Sequence, residues 1–478
     1  MTSFWQLPAT TLAELIRTGQ AGAVEVARDA IGHVERTNGP LNAIVDFRPE
    51  EVLRAAEVVD RLAPEERARL PLAGVPVTIK VTADQRGHAT THGLASNRDT
   101  IAAYDAPAVQ HLQRAGAVVL GRTNTPAFSY RWFTSNRIHG RTRNPVCPEL
   151  TPGGSSGGAS AAVASGMGAI AHGTDIAGSV RYPAYACGVH GLRPTPGRVP
   201  AYNETSPSRP VGQQMMGVTG PLARTVADIE LALSVMSQEH VDDPLWVPAP
   251  LEGPRLPRRA AVCVAPDGLE TAREVRQALL KAAEALRAAG WQVEEMPTLP
   301  PLREASDLHV YLWMGDGHQA KLEKALAEGD AGAIQALQGQ ARRVAQMTVR
   351  DFGHALTRRL ELMRSWQRFL ADWPVVLLPV SSELPFPDDL DLQGEAGYER
   401  VWEAQIPLIG TAFVGLPGLA LNTGRAGRVP VGIQIISSRF REDMCLQAAR
   451  DIEQTGDQQQ AGSSHPADIN QQPFGSSL

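Results

Sequence analysis

Cysteine is scarce in this chain. Its 478 residues hold four, Cys147, Cys187, Cys263 and Cys445, and none forms a CxxC pair. Zinc-site spacing is therefore absent, and a disulfide framework is not expected of so long a chain, so the four read as buried free thiols. No metal and no cofactor is expected. A charge excess of one sign is missing too: 45 Lys and Arg stand against 51 Asp and Glu, a net charge of -6. That leaves no electrostatic footprint for nucleic acid or for an anionic membrane surface. No apolar run approaches a spanning length. The N-terminus, MTSFWQLPATTLAEL, lacks a basic stretch followed by an apolar one, so no secretory signal is visible and a cytoplasmic location is expected. With 43 % hydrophobic and 20 % charged residues, the composition is that of a globular protein.

Helical and strand signals alternate along the chain. Thr11–Arg36 and Pro49–Leu62 carry apolar residues at helical spacing. VPVTIKV, Val75–Val81, is short and β-branched and reads as a buried strand that ends near Lys80. Ala108–Asn124 reads as helix, glycine, strand, and the same order returns at Glu270–Glu295. Leu302–Trp373 is mostly helical in pattern. Pro374–Val380 reads as a strand, Ile409–Ile436 holds a strand pair, and Asp443–Glu453 reads as a closing helix. The polar, Gln- and Ser-rich residues 456–478 read as a weakly ordered tail, which leaves 1–455 as one domain. These repeated units point to an α/β fold.

Two runs of small residues stand out, TPGGSSGGAS at Thr151–Ser160 and GTDIAGSVRYPA at Gly173–Ala184. A P-loop would need GK[ST], a dinucleotide turn GxGxxG, and an α/β-hydrolase elbow GxSxG; neither run supplies any of these. Nor is the first run linker-like, because it leads into an Ala-rich apolar helix. A serine nucleophile needs a proton acceptor, and no histidine sits in a recognisable triad motif. A desolvated lysine can serve, since burial favours the neutral amine. Lys80 is a candidate, although a lone lysine at a strand end is more often simply solvated.

GVPVTIK, GAVVLGRTN, TPGGSSGGAS, GTDIAGSVRYPAYACGVHGLRPT and PVGIQII together closely resemble the amidase signature family, over roughly Thr11 to Glu453. The resemblance, with the repeated units, implies the family fold, a single large α/β domain whose twisted mixed β-sheet is covered by helices on both faces, and it implies hydrolysis of a carbon–nitrogen bond by a Ser–cis-Ser–Lys triad. Carried over, the nucleophile falls on Ser179, the bridging serine on Ser155 and the base on Lys80. The two serines are 24 residues apart (179 − 155), the usual family separation. The Gly154–Ser155 peptide is expected to be cis. The resemblance further implies an oxyanion hole of the backbone N–H groups of Ile176, Ala177, Gly178 and Ser179, support from Ser156, Asp175 and Arg181, and a substrate contact at Ser129. Asp175 and Arg181 are expected to clamp the nucleophile loop as an ion pair; His172 and His190 are expected to pack or hydrogen-bond rather than to act as catalysts, and Cys187 is discounted as a rival nucleophile.

The sequence departs from the commoner family pattern at Ala177, where glycine is usual, at Val81, where an acid is frequent, and at Ala127, where a glutamate is common. A rival within the family is the tRNA-dependent glutamine amidotransferase, whose amidase component usually has RQP after the nucleophile; this chain has Arg181-Tyr182-Pro183. The aromatic cluster FSYRWF, Phe128–Phe133, also favours an apolar or aryl acyl group over glutamine. A small-molecule amide is the expected substrate, with carbamate or ester as alternatives, and a homodimer is the expected assembly. A non-catalytic scaffold would lack Lys80, Ser155 or Ser179, and all three are present.

Overall fold

The computed structural model describes residues 3–315 and 317–461. Eleven strands form one mixed sheet. In spatial order they are Ile44–Asp46, Val118–Thr123, Pro76–Lys80, Ile170–Asp175, Val218–Ala223, His190–Arg193, Gly418–Ala426, Val429–Ser437, Val375–Pro379, Arg259–Val262 and Gln292–Glu295. Three neighbours, Val118–Thr123, Pro76–Lys80 and Ile170–Asp175, run parallel, with Lys80 in register with Thr123. The centre is antiparallel, and the far edge returns to parallel pairing.

Through the central strands both faces of the sheet are buried, and the period of two in each strand sorts its side chains between them. Ile433 and Ile435 join one apolar cluster with Val375, Leu377 and Val262, while Ile436, Val376 and Ala261 join another on the opposite face. Helices Ala23–Leu41, Val226–Met236 and Arg273–Ala288 contribute to the first cluster. Helices Arg303–Met314, Val349–Asp372 and Ile406–Phe413 contribute to the layers on the other face. Strands from both sides of the segment 238–255 lie in this one sheet, so the chain does not divide there.

The helix–glycine–strand units lie where the sequence places them, with Pro107–Arg114 leading into Val118–Thr123 and Arg273–Ala288 into Gln292–Glu295. The closing helix is longer than its apolar pattern: it runs Glu442–Ala461, so residues 456–461 of the expected tail are helical. The rest of that tail, 462–478, lies outside the described residues.

Candidate active site

Three parallel strands end at one edge of the sheet, and each delivers a segment singled out in the sequence. Lys80 ends the first, Asp175 ends the second and leads to Ser179, and Thr123 ends the third and leads to Ser129. In open α/β sheets the carboxyl ends of parallel strands are where ligands bind.

The glycines of the first run are where backbones meet. A Cβ on Gly154 would lie 2.4 Å from the carbonyl oxygen of Arg131 and 2.5 Å from the amide nitrogen of Phe133. On Gly158 it would lie 2.4 Å from the amide nitrogen of Asn124. Gly153, at φ +79°, would drive a Cβ to 2.5 Å from Cα of Pro183. No side chain fits at these positions, and the Ser155–Ser156 pair is thereby seated deep in the fold, with the Gly154–Ser155 peptide cis. The Ala-rich helix Gly157–Ala164 that follows is buried on every side except at its last residue, so its small residues allow close packing all round.

Lys80 is fully buried, and its Nζ meets three hydroxyls: Ser155 Oγ at 2.7 Å, Thr174 Oγ1 at 3.0 Å and Ser156 Oγ at 3.2 Å. Burial lowers its pKa from 10.5 to about 7, against the opposing pull of Asp175. A neutral amine has two N–H donors and one lone pair, so one of the three hydroxyls can donate to it. Ser156 has another acceptor for its proton, the carbonyl oxygen of Thr174 at 3.4 Å. Ser155 is the nearest of the three and, among the described residues, its hydroxyl has no other partner.

The loop carrying Ser179 is tied to this pair by the amide of Ser156, which donates to the carbonyl oxygen of Ser179 at 3.1 Å. Asp175 and Arg181 form a fully buried two-point pair, with Nη2 to Oδ1 at 2.9 Å and Nε to Oδ2 at 3.0 Å. Burial alone would raise the Asp175 pKa, but Arg181, then Arg193 and the Gly178 amide, hold it well below the usual carboxylate range. Arg181 reaches on to Gln434 Oε1 at 2.6 Å, Thr411 Oγ1 at 2.7 Å and the carbonyl oxygen of Leu408, stapling the loop to the sheet centre and to helix Ile406–Phe413.

One expected member of the oxyanion hole is otherwise engaged. The Gly178 N–H donates to Asp175 Oδ1 at 2.8 Å, whereas among the described residues the N–H groups of Ile176, Ala177 and Ser179 donate to nothing. Gly178 sits at φ +104°, and a Cβ there would come within 2.7 Å of Leu408 Cδ1, so it is required for the turn. Ala177, by contrast, carries its methyl group in the apolar cluster.

The remaining candidates are accounted for. Ser129 is half-buried at φ +60°, and its Oγ lies 2.9 Å from Thr125 Oγ1. The aromatic cluster splits: Trp132 and Phe133 are core, while Phe128 and Tyr130 stay half-buried, stacked at 5.4 Å. Tyr182 is buried, and its hydroxyl accepts from the Phe386 amide at 3.2 Å. His172 is buried, which lowers its pKa to about 3, and His190 Nδ1 accepts from the Asn422 amide at 3.2 Å. The Cys187 thiol is pushed up to about 12 by burial and accepts from Ser160 Oγ at 3.4 Å. Among the described residues no group of His, Cys, Asp or Glu is arranged to hold a metal ion, and no helix is long and apolar enough to cross a membrane.

Four contacts go beyond the roles that the sequence assigns. Thr174 was legible as a polar residue, because it lies within the quoted run Gly173–Ala184. Arg193 Nη1 donates to the Asp175 carbonyl oxygen at 3.0 Å, and Trp132 Nε1 to that of Ala177 at 2.9 Å. His309, from the helix Arg303–Met314, places Nε2 at 2.9 Å from the Ile176 carbonyl oxygen. Trp132 and Arg193 lie in segments that the sequence singles out, the aromatic cluster and the motif ending GLRPT, but not for these contacts, and nothing in the local sequence marks His309.

A buried lysine among three hydroxyls thus lies beside a glycine-turned loop that carries Ser179. The chain belongs to the amidase family, whose model matches residues 25–446, and it is a hydrolase acting on carbon–nitrogen bonds of amides. It is 39 % identical to the indoleacetamide hydrolase of Bradyrhizobium diazoefficiens, over 94 % of this chain and 86 % of that one. It is 31 % identical to the acylamidase of Rhodococcus erythropolis, over 94 % and 95 % of the two chains. A solved bacterial aryl acylamidase of the amidase signature family matches with a TM-score of 0.81 at 25 % identity, covering 94 % of this chain and 96 % of that one. The rival named from the sequence is also similar: the glutamyl-tRNA(Gln) amidotransferase component of Thermus thermophilus is 31 % identical over 92 % of this chain and 95 % of its own length.

Proposed function

We propose that this enzyme hydrolyses a small amide with an apolar, aryl-bearing acyl group through an acyl-enzyme on Ser179. Neutral Lys80 takes the Ser155 proton as Ser155 takes that of Ser179, and Ser179 Oγ forms a bond to the amide carbon. The oxyanion is met by the N–H groups of Ile176, Ala177 and Ser179. Collapse breaks the C–N bond, the proton returns from Lys80 through Ser155 to the departing amine, and water then cleaves the ester to the free acid. The observation that carries this reading is Lys80 itself, a fully buried amine shifted toward neutrality with Ser155 at 2.7 Å.

The acyl preference rests on a half-buried aromatic wall. Phe128 stacks on Tyr130, and Tyr130 meets the edge of Trp313 at 6.0 Å; with Ile176 these residues border the same apolar cluster as Ala177. Such a wall suits a flat ring, and the likeness to an indoleacetamide hydrolase and to an aryl acylamidase points the same way.

A fluorophosphonate should label Ser179, and Ser179→Ala should abolish both labelling and turnover, while Ser155→Ala leaves a trace of activity. Label on Ser156 or Cys187 would refute the assignment. The likeness to a glutamyl-tRNA(Gln) amidotransferase component supports a second reading, with glutamine as the amide. A panel of arylacetamides, anilides, glutamine, carbamates and esters separates the two: glutamine turned over faster than arylacetamides would favour the second.

A further inference from the structure

The four peptide groups of the loop from Asp175 to Ser179 each have their carbonyl oxygen held. Arg193 holds that of Asp175, His309 that of Ile176, Trp132 Nε1 that of Ala177, and the Tyr182 amide that of Gly178 at 2.7 Å. In a trans peptide the C=O and the next N–H point in opposite directions. Anchoring a carbonyl on one side therefore aims the following N–H to the other. The Ala177–Gly178 peptide displays this: its oxygen meets Trp132 and its N–H meets Asp175. The other three peptides end in the free N–H groups of Ile176, Ala177 and Ser179.

Resting on the acyl-enzyme reading above, we infer that His309 is a positioning residue whose Nε2–H holds the Ile176 carbonyl and thereby aims the Ala177 N–H at the developing oxyanion. A carbonyl oxygen only accepts, so the proton of this contact must be on Nε2. The ring is fully buried, and its Nδ1 has no partner among the described residues. An imidazole that served packing alone would leave that atom desolvated for no return; here the other nitrogen has a specific task. The ring plane is set by Trp313, edge-on at 5.4 Å and 85°, the same indole that forms part of the aromatic wall. Burial lowers the His309 pKa to about 4, which keeps the ring neutral in the working range. Ala177 gives the contact added weight. Unlike a glycine, it restricts the peptide on either side, so the orientation of its N–H depends on where Ile176 O is pinned.

Three variants test this. His309→Gln keeps an N–H donor at the reach of Nε2, His309→Asn keeps a polar amide that falls short of it, and His309→Leu removes the donor. Each is assayed for kcat and KM on an arylacetamide, for inhibition by an arylboronic acid that forms a tetrahedral adduct on serine, and for inhibition by the product acid. Loss of one direct oxyanion donor typically lowers kcat by about 10²–10³, and a misaimed donor should cost less. We expect kcat to fall roughly 10–100-fold in His309→Asn and His309→Leu with KM within about threefold, and boronate affinity to fall in step while product-acid inhibition holds. His309→Gln should stay within about threefold of the parent. His309→Asn gives the answer if the leucine variant does not fold. Near-parental kcat in folded His309→Asn, or boronate and product-acid affinities falling together, would overturn the inference. A wild-type enzyme whose fluorophosphonate label falls elsewhere than Ser179 would overturn the acyl-enzyme reading first, and this inference with it.

Discussion

In the proposed mechanism Lys80 works only when it has lost its proton. With its pKa lowered by burial to about 7, the fraction of neutral amine rises about tenfold per pH unit below that value and saturates above it. We therefore expect kcat/KM for an arylacetamide to climb with unit slope up to about pH 7 and to stay level into the alkaline range. Lys80→Met should keep the fold and lose the roughly 10²–10⁴-fold that general-base work supplies. The same burial predicts a stability effect. The unfolded lysine holds its proton up to about 10.5, while the folded one releases it above about 7. Between these values the unfolded chain binds more protons, so stability rises with pH by up to about 1.4 kcal/mol per unit. Denaturant titration of wild type and Lys80→Met at pH 7 and pH 9 measures this. The gap in favour of the methionine variant should narrow at the higher pH, and a constant gap would mean that Lys80 is not desolvated in the folded state.

Among elements, the small-residue run and the loop carrying Ser179 make opposite demands on substitution from those made by an ordinary helix. Gly154→Ala places a Cβ against the main chain of Arg131 and Phe133, which cannot yield as a flexible side chain would. We expect a loss of stability beyond the roughly 1–3 kcal/mol of common overpacking, together with loss of activity. Gly353→Ala is the counterpart: it lies exposed inside helix Val349–Asp372 with nothing within 4 Å of the new Cβ. There alanine should stabilise by about 0.5–1 kcal/mol and leave turnover unchanged, read from the shift in denaturation midpoint. Asp175→Asn removes the charge between Arg181 and Arg193, both buried. Breaking a buried pair from one side typically costs about 3–5 kcal/mol. It should also weaken the hold on the Gly178 amide, so activity should fall further than stability alone predicts at a temperature where the variant is still folded.

At the scale of the whole molecule, one sheet gathers residues from the entire chain into one site. Lys80, Ser155, Ser179 and His309 are separated by long stretches of sequence, and Arg181 is held by Gln434 from near the other end. We propose a homodimer as the assembly, on the resemblance to the family. Light scattering should then give twice the 51.2 kDa of the chain, and a mass of 51.2 kDa would rule the dimer out.

Much of this was legible before folding. VPVTIK is a short β-branched run that reads as a buried strand, and the glycines of TPGGSSGGAS mark a backbone that must turn unusually or be approached closely. Those signals are local: they depend on periodicity, on Cβ volume and on the order of residues within a few turns of chain. The expected hole of four N–H groups was legible only as a motif, because the direction of a peptide depends on what holds its carbonyl. The structure commits Gly178 to Asp175 and supplies His309 and Trp132 from distant segments. The aromatic cluster Phe128–Phe133 divided between core and wall for a like reason, since burial is decided by what packs opposite. The closing helix outran its apolar pattern because a polar helix can extend beyond its contacts with the core once its first turns are docked. Sequence by itself determined the strands and the glycine turns, which are properties of neighbouring residues, while the assignment of Ser179, Ser155 and Lys80 came from the resemblance to the family. Only the tertiary structure decided how far Lys80 is desolvated, which hydroxyl it meets and which amides remain free, because each of these is set by partners remote in the chain.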